Sequence, residues 1–99
     1  MTLRYLKTAL ATATQPLLVP LAKTDQNKVI AIGFKKGMVL RKHKTAIPAK
    51  LYVLEGQVQY EAESGGMVLS QYEETPIPAG EYHEVTAQEE TLCLLIIGG

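Results

Sequence analysis

The sequence predicts an all-β fold, an antiparallel β-barrel preceded by a short N-terminal segment. Prolines and glycines divide the chain into short segments, several segments alternate apolar and polar residues, and turn-forming residues separate them. About eight to ten closely spaced strands follow from this pattern, which is typical of an antiparallel sandwich or barrel. Because 99 residues suffice for one domain, we divide the chain into an N-terminal segment, 1–16, and a single barrel domain, 17–99.

The first elements are one helix and two strands. Residues 3–13, "LRYLKTALATA", place their leucines near helical spacing and predict a short helix. "LLVPLAK", residues 17–23, predicts the first strand, and Pro20 places it at a sheet edge or a bulge. "KVIAIGF", residues 28–34, is rich in β-branched and apolar residues and predicts the second strand.

The middle of the chain predicts two further strands. "MVLRKHKT", residues 38–45, alternates in part, so Val39, Arg41, His43 and Thr45 are expected on one face. "AKLYVLEG" predicts a strand that ends in a tight turn at its final glycine, since glycine has no Cβ to hinder such a turn.

The second half of the chain alternates more clearly. Its strands are predicted at 57–63, 67–73, 75–79, 81–87 and 91–99. Tyr60 is expected to share a face with its apolar neighbours two positions away, and so is His83.

The composition is that of a globular protein, with 46% hydrophobic and 20% charged residues. No apolar run approaches the roughly 18 residues that a membrane-spanning helix needs, so no membrane association is expected. The single cysteine, Cys93, has no partner for an internal disulfide and lies in the apolar segment "TLCLLII". We expect it to be a small buried side chain in a cytoplasmic protein.

The charges are divided between the two halves of the chain. All ten basic residues lie at or before Lys50, and nine of the ten acidic residues lie at or after Glu55, Asp25 being the exception. A basic arm for nucleic acid would explain this division, and so would strands of the two halves that pair and bring their charges together. Aromatic residues do not interleave with the basic ones, which favours strand pairing and no nucleic-acid partner.

Two stretches of the chain place glycine, proline and histidine residues at defined intervals. In the first, Gly37 is followed after five residues by His43, then by Thr45 two positions on, and at longer intervals by Ala49 and Gly56. The second contains a Pro-x-Gly-x-x-His sequence and runs from Tyr72 through Pro78, Gly80 and His83 to Ala87.

Together, in this order and at this separation, the two stretches resemble the paired motifs of the cupin superfamily, the RmlC-like cupins. The resemblance covers about residues 30–97 and implies a cupin-type barrel, also called a double-stranded β-helix or jelly roll, that forms a homodimer. Cupins typically hold a metal with three His and one Glu. The matching positions here are His43, Thr45, Ala49 and His83, so the spacing is retained while two of the four ligands are replaced.

This replacement predicts a degenerate metal site. Transition-metal sites in proteins generally need three or more protein ligands. Glu55, Glu81 and Cys93 are possible substitutes, but none of them occupies a family ligand position. We therefore expect no firmly bound cofactor, and at most a divalent transition metal held weakly by His43 and His83.

Three functions agree with these residues. The favoured one is a binding module that holds a small polar or anionic molecule between His43, Thr45 and His83, although Thr45 is equally well explained as a strand former. The second is a cupin enzyme, either a metal-dependent dioxygenase or isomerase with two His ligands, or a metal-free isomerase with a His base. The third is a structural or regulatory subunit of a dimer, with a barrel filled by its own core. The sequence assigns no catalytic residue.

Overall fold

The computed structural model describes residues 2–98, except for the side chains of Thr2, Lys42 and His43. In chain order its elements are α1 (Thr2–Leu10), β1 (Leu17–Lys23), β2 (Lys28–Phe34), β3 (Val39–His43), β4 (Ala49–Glu55), β5 (Gln57–Ala62), β6 (Gly65–Ser70), β7 (Glu74–Ile77), β8 (His83–Ala87) and β9 (Thr91–Ile97). The helix in this part of the chain is not long and apolar enough to cross a membrane.

The strands form two antiparallel sheets, which confirms the predicted all-β class. One sheet has the strand order β1-β2-β9-β4-β7 and the other has the order β3-β8-β5-β6. Strands from the two halves of the chain pair with each other, as β2 does with β9 and β3 with β8. The predicted edge position of the Pro20 strand is also confirmed, because β1 is an outer strand and its register shifts between Pro20 and Ala22.

One apolar core joins the inner faces of the two sheets. Its largest fully buried side chains include Phe34, Ile32, Leu51 and Ile77, from β2, β4 and β7. Tyr60 of β5 belongs to the same core, as its alternation with neighbouring apolar residues predicts. Burial of each large apolar side chain contributes roughly 1.5–3 kcal/mol to stability.

Helix α1 covers part of the outer face of the five-stranded sheet. Leu6 and Leu10 are fully or almost fully buried, and Leu10 packs directly on Gly33 of β2, where an added Cβ would lie 3.0 Å from the Leu10 side chain. Lys7 pairs with Glu55 at the end of β4, with 2.8 Å between Nζ and Oε2. The helix ends three residues earlier than predicted, because a turn begins at Ala11. The division of the chain at residue 16 stays a prediction.

The third strand differs from its prediction. Val39 stands opposite Thr86 and His43 stands opposite His83, with a register shift between Leu40 and His43. This shift adds one residue to β3 relative to β8, and a bulge of this kind reverses the alternation beyond it. Local alternation therefore does not carry through β3, and the predicted face of the His43 side chain, which lies outside the described part of the structure, stays a prediction.

The turn between β5 and β6 is also tighter than predicted. Ala62 pairs with Gly65, so that Glu63 and Ser64 alone connect the two strands. Gly65 begins a strand rather than continuing a turn, and two-residue connections of this type are the commonest in β-hairpins.

Candidate functional site

The two motif-like stretches lie side by side in the structure. The backbone N–H of Gly37 donates to the carbonyl of Ala87 at 2.9 Å, and the N–H of Gly80 donates to the carbonyl of Thr45 at 2.9 Å. Gly37, Gly56 and Gly80 have φ angles of 86°, 90° and 77°, which glycine adopts without strain. The backbone frame that the sequence pattern implies is thus present.

Tyr72 keeps the backbone conformation of the motif although it is not a glycine. It stands at the position where the family motif has glycine, and it still has a φ of 69°. Its side chain is 82% exposed, while its N–H donates to the carbonyl of Val53 at 2.7 Å. A bulky residue rarely adopts this conformation, so the surrounding structure imposes it.

His83 is a buried polar residue at the start of β8. Its side chain is only 2% exposed and faces the core side of its sheet together with Val85 and Ala87, as predicted. The imidazole stacks on the ring of Tyr60, with 6.0 Å between ring centroids and 24° between ring planes. Its Nδ1 lies 3.4 Å from the carbonyl oxygen of Glu81.

The other predicted site residues are placed differently. His43 stands opposite His83 in the β3–β8 register, and its side chain lies outside the described part of the structure. Thr45 lies in the loop after β3, so its interpretation as a strand former is wrong. Its hydroxyl donates to the carbonyl of Ile47 at 2.8 Å, which stabilises that loop. Ala49 is buried at the family's carboxylate position.

A cavity of about 320 Å³ lies beside His83. We call it the His83 cavity, and its lining consists of Glu61, Ala62, Glu63, Tyr82, His83 and Glu84. Pairing of β5 with β8 places Glu61 opposite Glu84, and like charges in directly opposed positions repel. The ammonium group of Lys44 lies 4.9 Å from the centre of the Tyr82 ring.

Glu81 connects two loops next to this cavity. Its carboxylate accepts hydrogen bonds from the backbone N–H of Ser64, at 3.0 Å, and from the Ser64 hydroxyl. These two bonds, and to a smaller extent the nearby His83, hold the pKa of Glu81 below its usual value. Burial, with a smaller contribution from Glu81, raises the pKa of Tyr60. Tyr60, Ser64, Glu81 and His83 therefore form one cluster.

Known structures resemble this architecture closely, although no protein-family model and no curated protein matches the sequence. A cupin superfamily protein from Desulfitobacterium hafniense superposes with a TM-score of 0.81 at 18% identity, over 86% of this chain and 78% of the other. An RmlC-like cupin from Shewanella frigidimarina gives 0.80 at 16% identity, over 88% and 78%. This protein has the cupin fold.

A third similar structure carries no assigned role. It is a conserved protein of unknown function from Streptococcus pyogenes, with a TM-score of 0.78 at 20% identity, over 85% of this chain and 74% of the other. Similarity at these identities establishes the fold and leaves the function to be argued from the residues of the site.

The metal typical of cupins does not fit the described residues. Among the side chains that the structure describes, no three His, Cys, Asp or Glu residues come close enough together to hold a metal ion. Thr45 and Ala49 replace two of the family ligands, and the Thr45 hydroxyl already bonds Ile47. Cys93 faces the apolar core, where burial raises the pKa of its thiol to about 12, so it is a poor ligand.

Sequence reasoning did not bring Tyr60, Ser64 and Glu81 together with His83. Alternation places Tyr60 on an inner face, and Glu81, two residues before His83, is named there as a possible replacement metal ligand. The missing information was the pairing of β5 with β8, which places Ala62 opposite His83. No local signal in the sequence specifies that pairing.

Proposed function

We propose that this cupin-fold protein is a binding module that holds a small polar molecule in the His83 cavity. The observation that carries the proposal is the position of His83, a polar side chain that is almost fully buried yet forms part of the wall of an open cavity. Buried polar side chains are costly unless they are hydrogen-bonded, and such groups in clefts often contact ligands.

The imidazole suits this role because each ring nitrogen can donate or accept a hydrogen bond, according to its protonation state. Stacking on Tyr60 holds the ring of His83 in one orientation. A ligand hydroxyl or amide could therefore meet a preorganised partner, which reduces the entropy cost of binding.

The charged side chains around the cavity indicate which net charge a ligand should carry. Glu61, Glu63 and Glu84 contribute carboxylates to its lining. An anion would be repelled by these groups, whereas a neutral donor or an ammonium group would relieve the repulsion between Glu61 and Glu84. We therefore favour an uncharged or cationic polar ligand over the anionic alternative.

A charge series of small probes tests this function. Isotope-labelled protein is titrated with glycolamide, ethanolamine and glycolate, which are similar in size and differ in charge. We expect saturable ¹H–¹⁵N shifts at residues 61–63 and 82–84 with the first two probes, and much weaker shifts with glycolate. His83→Asn should abolish the response, while Thr86→Ala, on the opposite face of the same strand, should retain it.

Two results would contradict the binding function. One is the absence of saturable shifts with all three probes. The other is an undiminished response in a folded His83→Asn variant, because the imidazole would then contribute nothing to binding. A filled barrel that serves as a structural subunit would be the better explanation of the first result.

Metal content tests the enzyme alternative, in which His43 and His83 hold a metal. Elemental mass spectrometry of the tag-free protein should find transition metal well below one ion per chain, with no difference in His83→Ala. Stoichiometric metal that disappears in this variant and in His43→Ala would instead support a metal-dependent cupin enzyme.

A further inference from the structure

We propose a second binding site, in the cleft between the outer strands β6 and β7, for an uncharged ring-shaped molecule with a hydroxyl or amide group. Tyr60 lines this cleft, and the residues that line the His83 cavity are different ones. It does not depend on the function proposed above and needs neither His43 nor a metal.

The cleft exists because two sheet edges face each other without pairing. Among the described strands, β6 is paired only with β5, and β7 only with β4. A cavity of about 330 Å³ opens between these edges. Its lining, which we call the β6–β7 cleft, consists of Tyr60, Ser64, Gly65, Gly66, Met67, Thr75, Pro76 and Pro78.

None of the residues that line the cleft has a charged side chain. Ser64, Thr75 and Tyr60 supply hydroxyl groups, whereas Met67 and the two prolines supply apolar surface. Met67 is 45% exposed although its register partner is the buried Tyr60, so the cleft leaves apolar surface uncovered. A site with this lining favours a neutral ligand, because a charged one would lose hydration and the neighbouring carboxylates of Glu61 and Glu81 already accept hydrogen bonds within the protein.

Tyr60 is the residue on which this inference mainly rests. Its ring is 3% exposed, stacks on His83 and also lines the cleft. Among the described residues no fully buried side-chain polar atom lacks a hydrogen-bond partner, and no hydrogen bond joins the Tyr60 hydroxyl to another described residue. The hydroxyl is therefore accessible from outside and can bond a molecule in the cleft.

The dimensions and wall of the cleft suit a six-membered ring. A dry cavity on the order of 150 Å³ holds benzene, so a volume of about 330 Å³ accepts a substituted ring. Met67 and Pro76 provide apolar contacts for the faces of a ring. The Met67 side chain is flexible, and its sulfur interacts favourably with aromatic rings. Thr75 is 96% buried and donates its hydroxyl to the Pro76 carbonyl at 3.3 Å, which leaves its lone pairs for a ligand donor.

The test uses benzamide, benzoate and benzylamine as probes, because they share a ring and differ in charge. In ¹H–¹⁵N titrations of the full chain, benzamide should cause saturable shifts at residues 64–67 and at Thr75, and both charged probes should bind more weakly. Tyr60→Phe should weaken benzamide binding by roughly twofold to tenfold, the effect of one lost hydrogen bond. Met67→Lys should remove binding, since it introduces a flexible cation at an exposed position of the wall.

The control variant is Thr86→Val, which alters the outer face of β8 and should leave benzamide binding unchanged. Spectral dispersion verifies that each variant is folded. Equal binding of the three probes, no saturable shift at these residues, or unchanged benzamide binding in Met67→Lys would overturn the site. If the wild-type protein binds benzamide and shows no response to glycolamide, the function proposed for the His83 cavity is contradicted and the site in the β6–β7 cleft is not.

Discussion

The imidazole of His83 lies against the ring of Tyr60, with the centroids 6.0 Å apart and the planes inclined by 24°. The two residues come from adjacent strands, β8 and β5, and are not direct register partners, because His83 stands opposite Ala62. The small side chain of Ala62 leaves room for the two rings to approach each other. His83 lines the His83 cavity, and Tyr60 lines the β6–β7 cleft.

We expect Tyr60→Leu to disturb His83, because it removes the aromatic partner from a buried position. The free energy of unfolding, measured by urea denaturation, should fall by about 1–3 kcal/mol. The side-chain proton resonances of His83 should shift in the same variant. Tyr60→Phe keeps the ring and should leave these resonances nearly unchanged. Unaltered His83 resonances in Tyr60→Leu would show that the stacking does not position the imidazole.

Tyr72→Gly should stabilise the protein. A bulky residue with a φ of 69° costs about 1–2 kcal/mol, whereas glycine loses somewhat more entropy on folding. Because the Tyr72 side chain is largely exposed, little packing is lost. We expect the urea midpoint to rise by the equivalent of up to about 1 kcal/mol, with an unchanged slope.

Gly80→Ala is the matched control for this effect. Gly80 has a φ of 77°, and an added Cβ would meet no atom within 4 Å. Its substitution should therefore lower the free energy of unfolding by about 1 kcal/mol through backbone strain alone. A lower midpoint in Tyr72→Gly would mean that the exposed tyrosine makes a contact worth more than the strain.

Cys93 should be unreactive in the folded protein. Burial raises its pKa from 9.0 to about 12, so the unfolded chain loses the thiol proton at a lower pH than the folded chain does. The stability associated with this group is complete below pH 9.0 and declines as the pH rises towards 12. Urea denaturation of wild type and Cys93→Ala across this range should show a steeper decline for wild type.

A thiol reagent provides an independent measurement on Cys93. We expect modification only at the rate of unfolding, and therefore a strong acceleration by denaturant. Rapid modification in native buffer, or an identical pH dependence for wild type and Cys93→Ala, would contradict the buried position.

The homodimer stays a prediction, and its test is the molar mass in solution. A domain of this size has a modest core and benefits from association. Leu18 and Leu21 on the outer strand β1 are 48% and 38% exposed, which offers apolar surface to a second copy. Light scattering should give about twice the 10.8 kDa of one chain, and Leu18→Lys should reduce it. A mass of 10.8 kDa at every concentration would exclude the dimer.

The local pattern of the sequence was sufficient for most strands. β1 and β2 have the predicted bounds, since apolar β-branched runs end at clear turn residues. The predictions failed where pairing between strands decides the outcome. The register shift after Leu40 and the tight turn at Glu63 and Ser64 depend on the partners β8 and β6, which local alternation does not specify.

The sequence by itself determined the strand segments, the two spaced stretches with their retained histidines, and the loss of two expected ligands. These are properties of residue order, and the backbone conformation of Gly37, Gly56 and Gly80 follows from them. Only the tertiary structure decided that Tyr60, Ser64 and Glu81 gather around His83 and that β6 and β7 leave a cleft. These contacts join residues distant in the chain, because sheet pairing, rather than proximity in sequence, determines which side chains meet.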